Sequence, residues 1–222
     1  MGRDLAFDTP AGSIGGWHAD PEGAPRGGLV VVQEIFGLNA HVRSVADGYA
    51  AEGYVALAPA FFDPVERGVE LEYDHEGFAR GRELVAALGF ERAVAIVEAA
   101  AALLRAEGLE VAVVGFCWGG TVALLANTRL GLPAISYYGA RNVQFLDEAL
   151  RAPMQFHFGG RDASIPPEDV ERHREAWPQA ELHVYPAAGH AFNRDVDIHA
   201  HEPESARLAH ARMRAFLDAA LD

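Results

Sequence analysis

The sequence predicts an α/β protein with a mostly parallel central sheet and helices on both faces. Three observations predict it. Short β-branched runs alternate with longer amphipathic segments along the chain, the pattern of strand–helix–strand units joined by right-handed crossovers. Two runs, Leu29-Val30-Val31-Val32-Gln33 and Val111-Ala112-Val113-Val114, are continuously apolar or nearly so, as in strands covered on both faces. Four runs lead into turns bearing Glu34, Cys117, Asp162 and His190, and ligand sites in such sheets gather beyond the carboxyl ends of the strands. The 222 residues are 50% hydrophobic, enough for a full core. No linker, repeat or low-complexity stretch interrupts them, so a single domain over residues 1–222 is expected.

The elements follow in order. Residues 14–18 read as a short edge strand, and residues 20–28, rich in proline and glycine, as a connection. Beyond the strand at 29–33, a helix is expected over 41–52 with Val42, Val45 and Tyr49 on one face and Gly53 closing it. Residues 54–58 form the next strand, stopped by Pro59. Residues 61–77 read as a long irregular loop, acidic and aromatic. Helices are expected over 80–88 and 90–107, the second alanine-rich and ended by Gly108. The strand at 111–114 leads through a glycine turn into a helix containing residues 121–126. Residues 134–138, 154–158 and 181–185 read as strands. Residues 167–177 read as a helix whose first turn carries Glu168 and Asp169, favoured there by the helix dipole. The closing helix, 204–221, is amphipathic and is expected to turn Leu208, Met213, Phe216 and Leu217 inward.

Composition removes several function classes. A net charge of −14 argues against nucleic acid and anionic membrane as partners, since both are bound through basic patches. All 18 Lys and Arg positions are arginine, so lysine Schiff-base and P-loop chemistry is excluded. The single cysteine leaves no internal disulfide and no multi-cysteine metal site, and a lone thiol fits a reducing compartment. Met1 to Leu5 carry no apolar signal-peptide run, and no apolar stretch is long enough for a bilayer. A soluble, cytoplasmic protein is expected, a monomer or weak homodimer without cofactor. His199 and His201 lie beside Asp195 and Asp197, but exposed loop histidines are commoner than ligands, and no metal is expected.

The chemistry centres on Gly115-Phe116-Cys117-Trp118-Gly119-Gly120. A glycine on each side lets the chain reverse between strand and helix and displays the central side chain above the sheet, the nucleophile elbow usually built on serine. A thiol attacks a carbonyl as its thiolate, and the start of a helix favours that negative charge. Asp162, in Gly159-Gly160-Arg161-Asp162, and His190, in Gly189-His190-Ala191-Phe192, each follow a later strand. The order nucleophile, acid, histidine is that of the α/β-hydrolase fold. In that reading His190 is the base, and Asp162 fixes its tautomer and stabilises the imidazolium. An oxyanion hole needs two backbone N–H groups. Trp118, just after the thiol, and Ile35, in the turn after an earlier strand, are the candidates. Trp118, Phe36, Tyr138 and Phe192 are candidates to line a pocket.

With these blocks in view the chain resembles the dienelactone hydrolase family, the carboxymethylenebutenolidases of the α/β-hydrolase fold, over nearly its whole length. The resemblance rests on Gln33-Glu34-Ile35-Phe36-Gly37-Leu38-Asn39 together with the elbow, aspartate and histidine blocks. It implies a Cys117-His190-Asp162 triad that opens an enol-lactone through an acyl-thioenzyme. It implies that Glu34 helps deprotonate Cys117 when an anionic substrate arrives. It also implies arginines that hold a substrate carboxylate. Arg194 matches one of these. A second is expected near residues 78–84, where the ungapped position is Phe78 and Arg80 and Arg82 are close by. The expected activity is opening of a dienelactone-like lactone or cleavage of a small ester. The competing expectations are a general carboxylesterase, a non-catalytic binder of small acidic ligands, and a peroxide-reactive thiol, which would need an external thiol to resolve it.

Overall fold

The β-branched runs become strands in the computed structural model, which describes residues 2–221. Contacts group the chain into two units, residues 2–113 with 221, and residues 114–220.

The first unit holds β1 (Arg3–Thr9), β2 (Gly12–Ala19), β3 (Gly28–Val32), α1 (Ala40–Ala51), β4 (Val55–Pro59), α2 (His75–Leu88), α3 (Phe90–Ala106) and the opening residues of β5 (Val111–Phe116). Its strand order is β1-β2-β4-β3-β5. β3 and β4 are parallel, with Leu29 opposite Ala56, whereas β2 runs antiparallel to both β1 and β4. α1 packs on β4 and β2, and α3 on β3 and β4. This is why β3 reads as an unbroken apolar run: Val30, Val31 and Val32 are all at 0% exposure, each burial contributing about 1.5–3 kcal/mol.

Two features depart from the sequence expectation. β1 gave no strand pattern, because of its seven residues only Phe7 is buried. It is a strand through backbone pairing along the whole of β2. α2 starts at His75 instead of residue 80, because Asp74 caps it by accepting from the Gly77 N–H at 2.7 Å. The irregular segment is correspondingly shorter.

The turn after β3 is held within this unit. Asn39 caps α1 by accepting from Val42 N–H at 3.2 Å, and its amide donates to the Tyr73 hydroxyl at 3.0 Å. The Leu71 N–H donates to the Phe36 carbonyl at 2.8 Å. α2 crosses the turn so closely that a Cβ on Gly81 would lie 2.1 Å from the Ile35 carbonyl oxygen. Only glycine permits that approach.

The second unit continues β5 and adds α4 (Trp118–Leu130), β6 (Ala134–Tyr137), a 3-10 turn (Asn142–Phe145), β7 (Met154–Gly159), α5 (Pro167–Ala176), β8 (Glu181–Tyr185) and α6 (Pro203–Ala220). Strand order is β5-β6-β7-β8, with β6–β7 and β7–β8 parallel. α4 is buried from Trp118 through Thr128, so it is apolar all round and shows little amphipathic signal. α6 buries Ser205, Ala209, Met213, Phe216 and Leu217. Leu208 is 41% exposed, contrary to the inward orientation expected, because the buried stripe passes through the adjacent Ala209. Among the described residues no helix is long and apolar enough to cross a membrane.

Gly48 lies inside α1, exposed, and a Cβ added there meets nothing within 4 Å. Gly48→Ala is therefore expected to stabilise the fold by about 0.5–1 kcal/mol. A raised urea midpoint at unchanged m-value is the expected reading; an unchanged or lowered midpoint contradicts it.

Candidate active site

The chain must reverse between β5 and α4 in a single residue. Cys117 takes φ 55 and ψ −116 to do so. The glycines on either side are steric requirements. A Cβ on Gly115 would lie 1.9 Å from the Gly119 carbonyl oxygen, and one on Gly120 would lie 2.7 Å from the Tyr137 carbonyl oxygen. The Cys117 N–H donates to that same Tyr137 carbonyl at 3.0 Å, and its own carbonyl accepts from Gly120 N–H at 3.0 Å. With the Cys117 amide engaged, Trp118 is the next N–H after the thiol, in the first turn of α4, where backbone donors lack intrahelical acceptors. The thiol is half-buried.

The loops after β7 and β8 are built as a pair. A Cβ on Gly159 would lie 2.4 Å from the Gly189 carbonyl oxygen, and one on Gly160 would lie 2.9 Å from Pro186 Cα. Through this contact Gly160 N–H reaches the Tyr185 carbonyl at 2.7 Å and Arg161 N–H the Ala188 carbonyl at 2.8 Å. The Asp162 side chain is fully buried, at 0% exposure. Its Oδ1 accepts from Ser164 N–H at 2.8 Å and its Oδ2 from His190 Nδ1 at 2.7 Å. With Nδ1 taken, Nε2 is the nitrogen left for the hydrogen bond that His190 makes with Cys117.

Opposing forces act on the His190 proton. Burial is the largest and pulls its pKa down. The hydrogen bonds to Asp162 and to Cys117, with the negative charges of both, outweigh it and push the imidazole up to about 10. The arrangement therefore gives His190 a high affinity for a proton. Strain collects at the same place. Among the described residues, those with positive φ that are not glycine are Cys117, Tyr138 and Ala191, each costing about 1–3 kcal/mol. Ala191 follows His190, and the Tyr138 ring lies 4.9 Å from the imidazole, centroid to centroid.

Arg194 is buried and donates through Nη1 to Asp197 Oδ2 at 3.0 Å. Asp197 is itself tied down, its Oδ1 accepting from His199 N–H at 3.0 Å and Ala200 N–H at 3.3 Å. In the first unit, Glu34, Ile35 and Phe36 follow β3 and are buried at 4%, 5% and 6% exposure. Phe36 sets its ring edge-on to Tyr73 at 4.7 Å. Arg80 is exposed and bonded to Glu66 and Glu83, and Arg82 is exposed on the same helix. The second unit thus brings Cys117, Asp162 and His190 together. The sequence missed the Ser164 amide as a partner of Asp162, Asn193 as the acceptor of the Tyr138 hydroxyl, and the Asp197 carboxylate as the partner of Arg194. Ser164, two residues after an aspartate, carried the signal of an Asx turn, and Asp197 stands three residues from Arg194, the spacing of a local ion pair.

Fold and site define an α/β-hydrolase. The chain belongs to the dienelactone hydrolase family, which it matches over residues 14–221. It is 35% identical over 204 residues to a candidate carboxymethylenebutenolidase of Escherichia coli, covering 81% of this chain and 73% of that one. It is 29% identical over 215 residues to the carboxymethylenebutenolidase of Pseudomonas putida, covering 92% and 91%. The crystal structure of a candidate dienelactone hydrolase from Klebsiella pneumoniae matches with a TM-score of 0.84 at 29% identity, over 98% of each chain. The protein is accordingly a carboxylic-ester or lactone hydrolase.

The raised His190 pKa has a consequence for stability. An unfolded histidine titrates near about 6.5, so the contribution of His190 is full below that pH and is lost as pH rises to about 10. The stability advantage of the wild type over His190→Gln is expected to shrink between those limits in urea unfolding at a series of pH values. A pH-independent difference contradicts the assignment.

Proposed function

We propose that the protein opens an enol-lactone of dienelactone type, or cleaves a small carboxylic ester, through an acyl-thioenzyme on Cys117. The observation that carries this is the 2.7 Å hydrogen bond from His190 to a fully buried Asp162, with His190 also bonded to Cys117. In the proposed reaction the Cys117 proton passes to His190 Nε2, and the thiolate attacks the carbonyl carbon. The new C–S bond forms as the carbonyl π pair moves to oxygen. The Trp118 N–H stabilises that oxyanion. The carbonyl re-forms, the ring or ester C–O bond breaks, and His190 gives its proton to the departing oxygen. Water then loses a proton to His190 and attacks the thioester. Collapse releases the acid and restores the thiol. A histidine with a high proton affinity suits the first half of this cycle, in which it must hold a proton and then surrender it to an oxygen. Glu34 as an aid to thiol deprotonation and Ile35 N–H as the other oxyanion donor are proposed on the sequence block 33–39 alone.

A second reading, a general small-ester carboxylesterase, is favoured by the ion pairs of the arginines. Arg194 is bonded to an aspartate that is itself anchored by two amides, and Arg80 to two glutamates. A substrate carboxylate would have to compete with these acids.

Rates on cis- and trans-dienelactone, p-nitrophenyl acetate and a longer-chain ester separate the readings. Preference for the carboxylated lactones is the outcome of the first reading, and equal or better turnover of neutral esters that of the second. In either case Cys117→Ala is expected to lower kcat by at least about 10³-fold, and iodoacetamide to inactivate the wild type. Intact turnover by Cys117→Ala rules out both.

A further inference from the structure

Tyr138 stands just after β6 with no role in the reaction described above. Its backbone is at φ 40, a conformation that a bulky residue adopts only when its surroundings compel it. The side chain is nonetheless buried, at 1% exposure. The backbone is held from the sheet side, since Tyr138 N–H donates to the His157 carbonyl at 2.8 Å. Its ring lies 4.9 Å from His190 and 5.6 Å from Phe192. Its hydroxyl donates to Asn193 Oδ1. The preceding residue, Tyr137, receives the Cys117 N–H through its carbonyl. One dipeptide therefore touches the backbone of the thiol-bearing residue, the ring of the histidine and the loop that carries that histidine.

We infer that Tyr138 is a positioning residue: its ring holds the His190 imidazole in line between Asp162 and Cys117, and its hydroxyl anchors the His190 loop through Asn193. This rests on the proposed hydrolytic cycle only for its kinetic consequence. Asp162 orients the imidazole from Nδ1 along a single bond, about which the ring can still swing. An aromatic ring packed against it, with centroids 4.9 Å apart and planes tilted by 58°, restricts that swing. The strained φ is explained on this account, because an extended Tyr138 would carry its side chain away from the imidazole. The titratable groups set against His190 are Asp162 from the loop after β7, Cys117 from the elbow and the Tyr138 phenol from the end of β6.

The test uses Tyr138→Leu, which removes the ring, and Tyr138→Phe, which keeps the ring and removes the hydroxyl. Two measurements are made on each full-length variant. Ester turnover is normalised to titratable thiol, and the rate of Cys117 alkylation by iodoacetamide is followed against pH. Alkylation reports the thiol–imidazole pair whether or not the protein hydrolyses esters, so failure of the proposed function and failure of this inference are distinguishable. For Tyr138→Leu, kcat per thiol is expected to fall by up to about 100-fold with KM changed less than threefold, roughly the cost of an ångström of misplacement. Its alkylation profile is expected to shift towards that of an unassisted thiol. Tyr138→Phe is expected to retain the wild-type profile and to lose less than about tenfold in kcat, because the ring remains. A Tyr138→Leu variant with lowered melting temperature but wild-type kcat per thiol and wild-type alkylation profile overturns the inference. Equal losses in Tyr138→Phe and Tyr138→Leu also overturn it, since the ring would then contribute nothing.

Discussion

The hydrogen bond between Asp162 and His190 spans two loops, and much of the second unit is arranged to keep it at 2.7 Å. Glycines at 159 and 160 remove the side chains that would hold those loops apart. Two backbone hydrogen bonds then lock the loop after β7 to the loop after β8. The second carboxylate oxygen of Asp162 is occupied by the Ser164 amide, so the acid has one direction left in which to act. A buried carboxylate with both oxygens engaged is costly to form alone. The imidazolium it supports offsets that cost.

The elbow supplies the opposite kind of constraint. It holds Cys117 in a disfavoured backbone conformation, made possible by Gly115 and Gly120 and fixed by the Tyr137 carbonyl. Local strain of this kind persists only where neighbours over-determine it. Here α4 is buried from its first residue through Thr128, so the packing of that helix holds the strained residue in place. The same packing aims the first amides of α4 at the thiol's surroundings, where negative charge is favoured.

Much of this was legible in the chain itself. β3, β5 and β7 were legible because strands covered on both faces need no alternation. Cys117, Asp162 and His190 were legible because each sits in a turn with glycine beside it just past a strand. What escaped was whatever depends on partners distant in sequence. β1 is a strand by virtue of β2, and Leu208 faces solvent because the stripe of α6 is set by Ala209 and Met213. The positive φ of Tyr138 and the Tyr138–Asn193 bond across 55 residues have no local signature. The Arg194–Asp197 pair has the right spacing for a local contact, but spacing alone does not tell whether an arginine is offered to a ligand or to a neighbour.

The claim on which the account turns is that carbonyl carbon becomes bonded to Cys117 Sγ during turnover. Rapid-quench mass spectrometry with a slow activated ester tests it most directly. The expected result is an intact-protein mass increased by one acyl group within the first turnover, mapped to the peptide containing Cys117 and decaying at the steady-state rate. Steady turnover with no acyl adduct at any quench time, or an adduct on another residue that decays at kcat, would contradict the account.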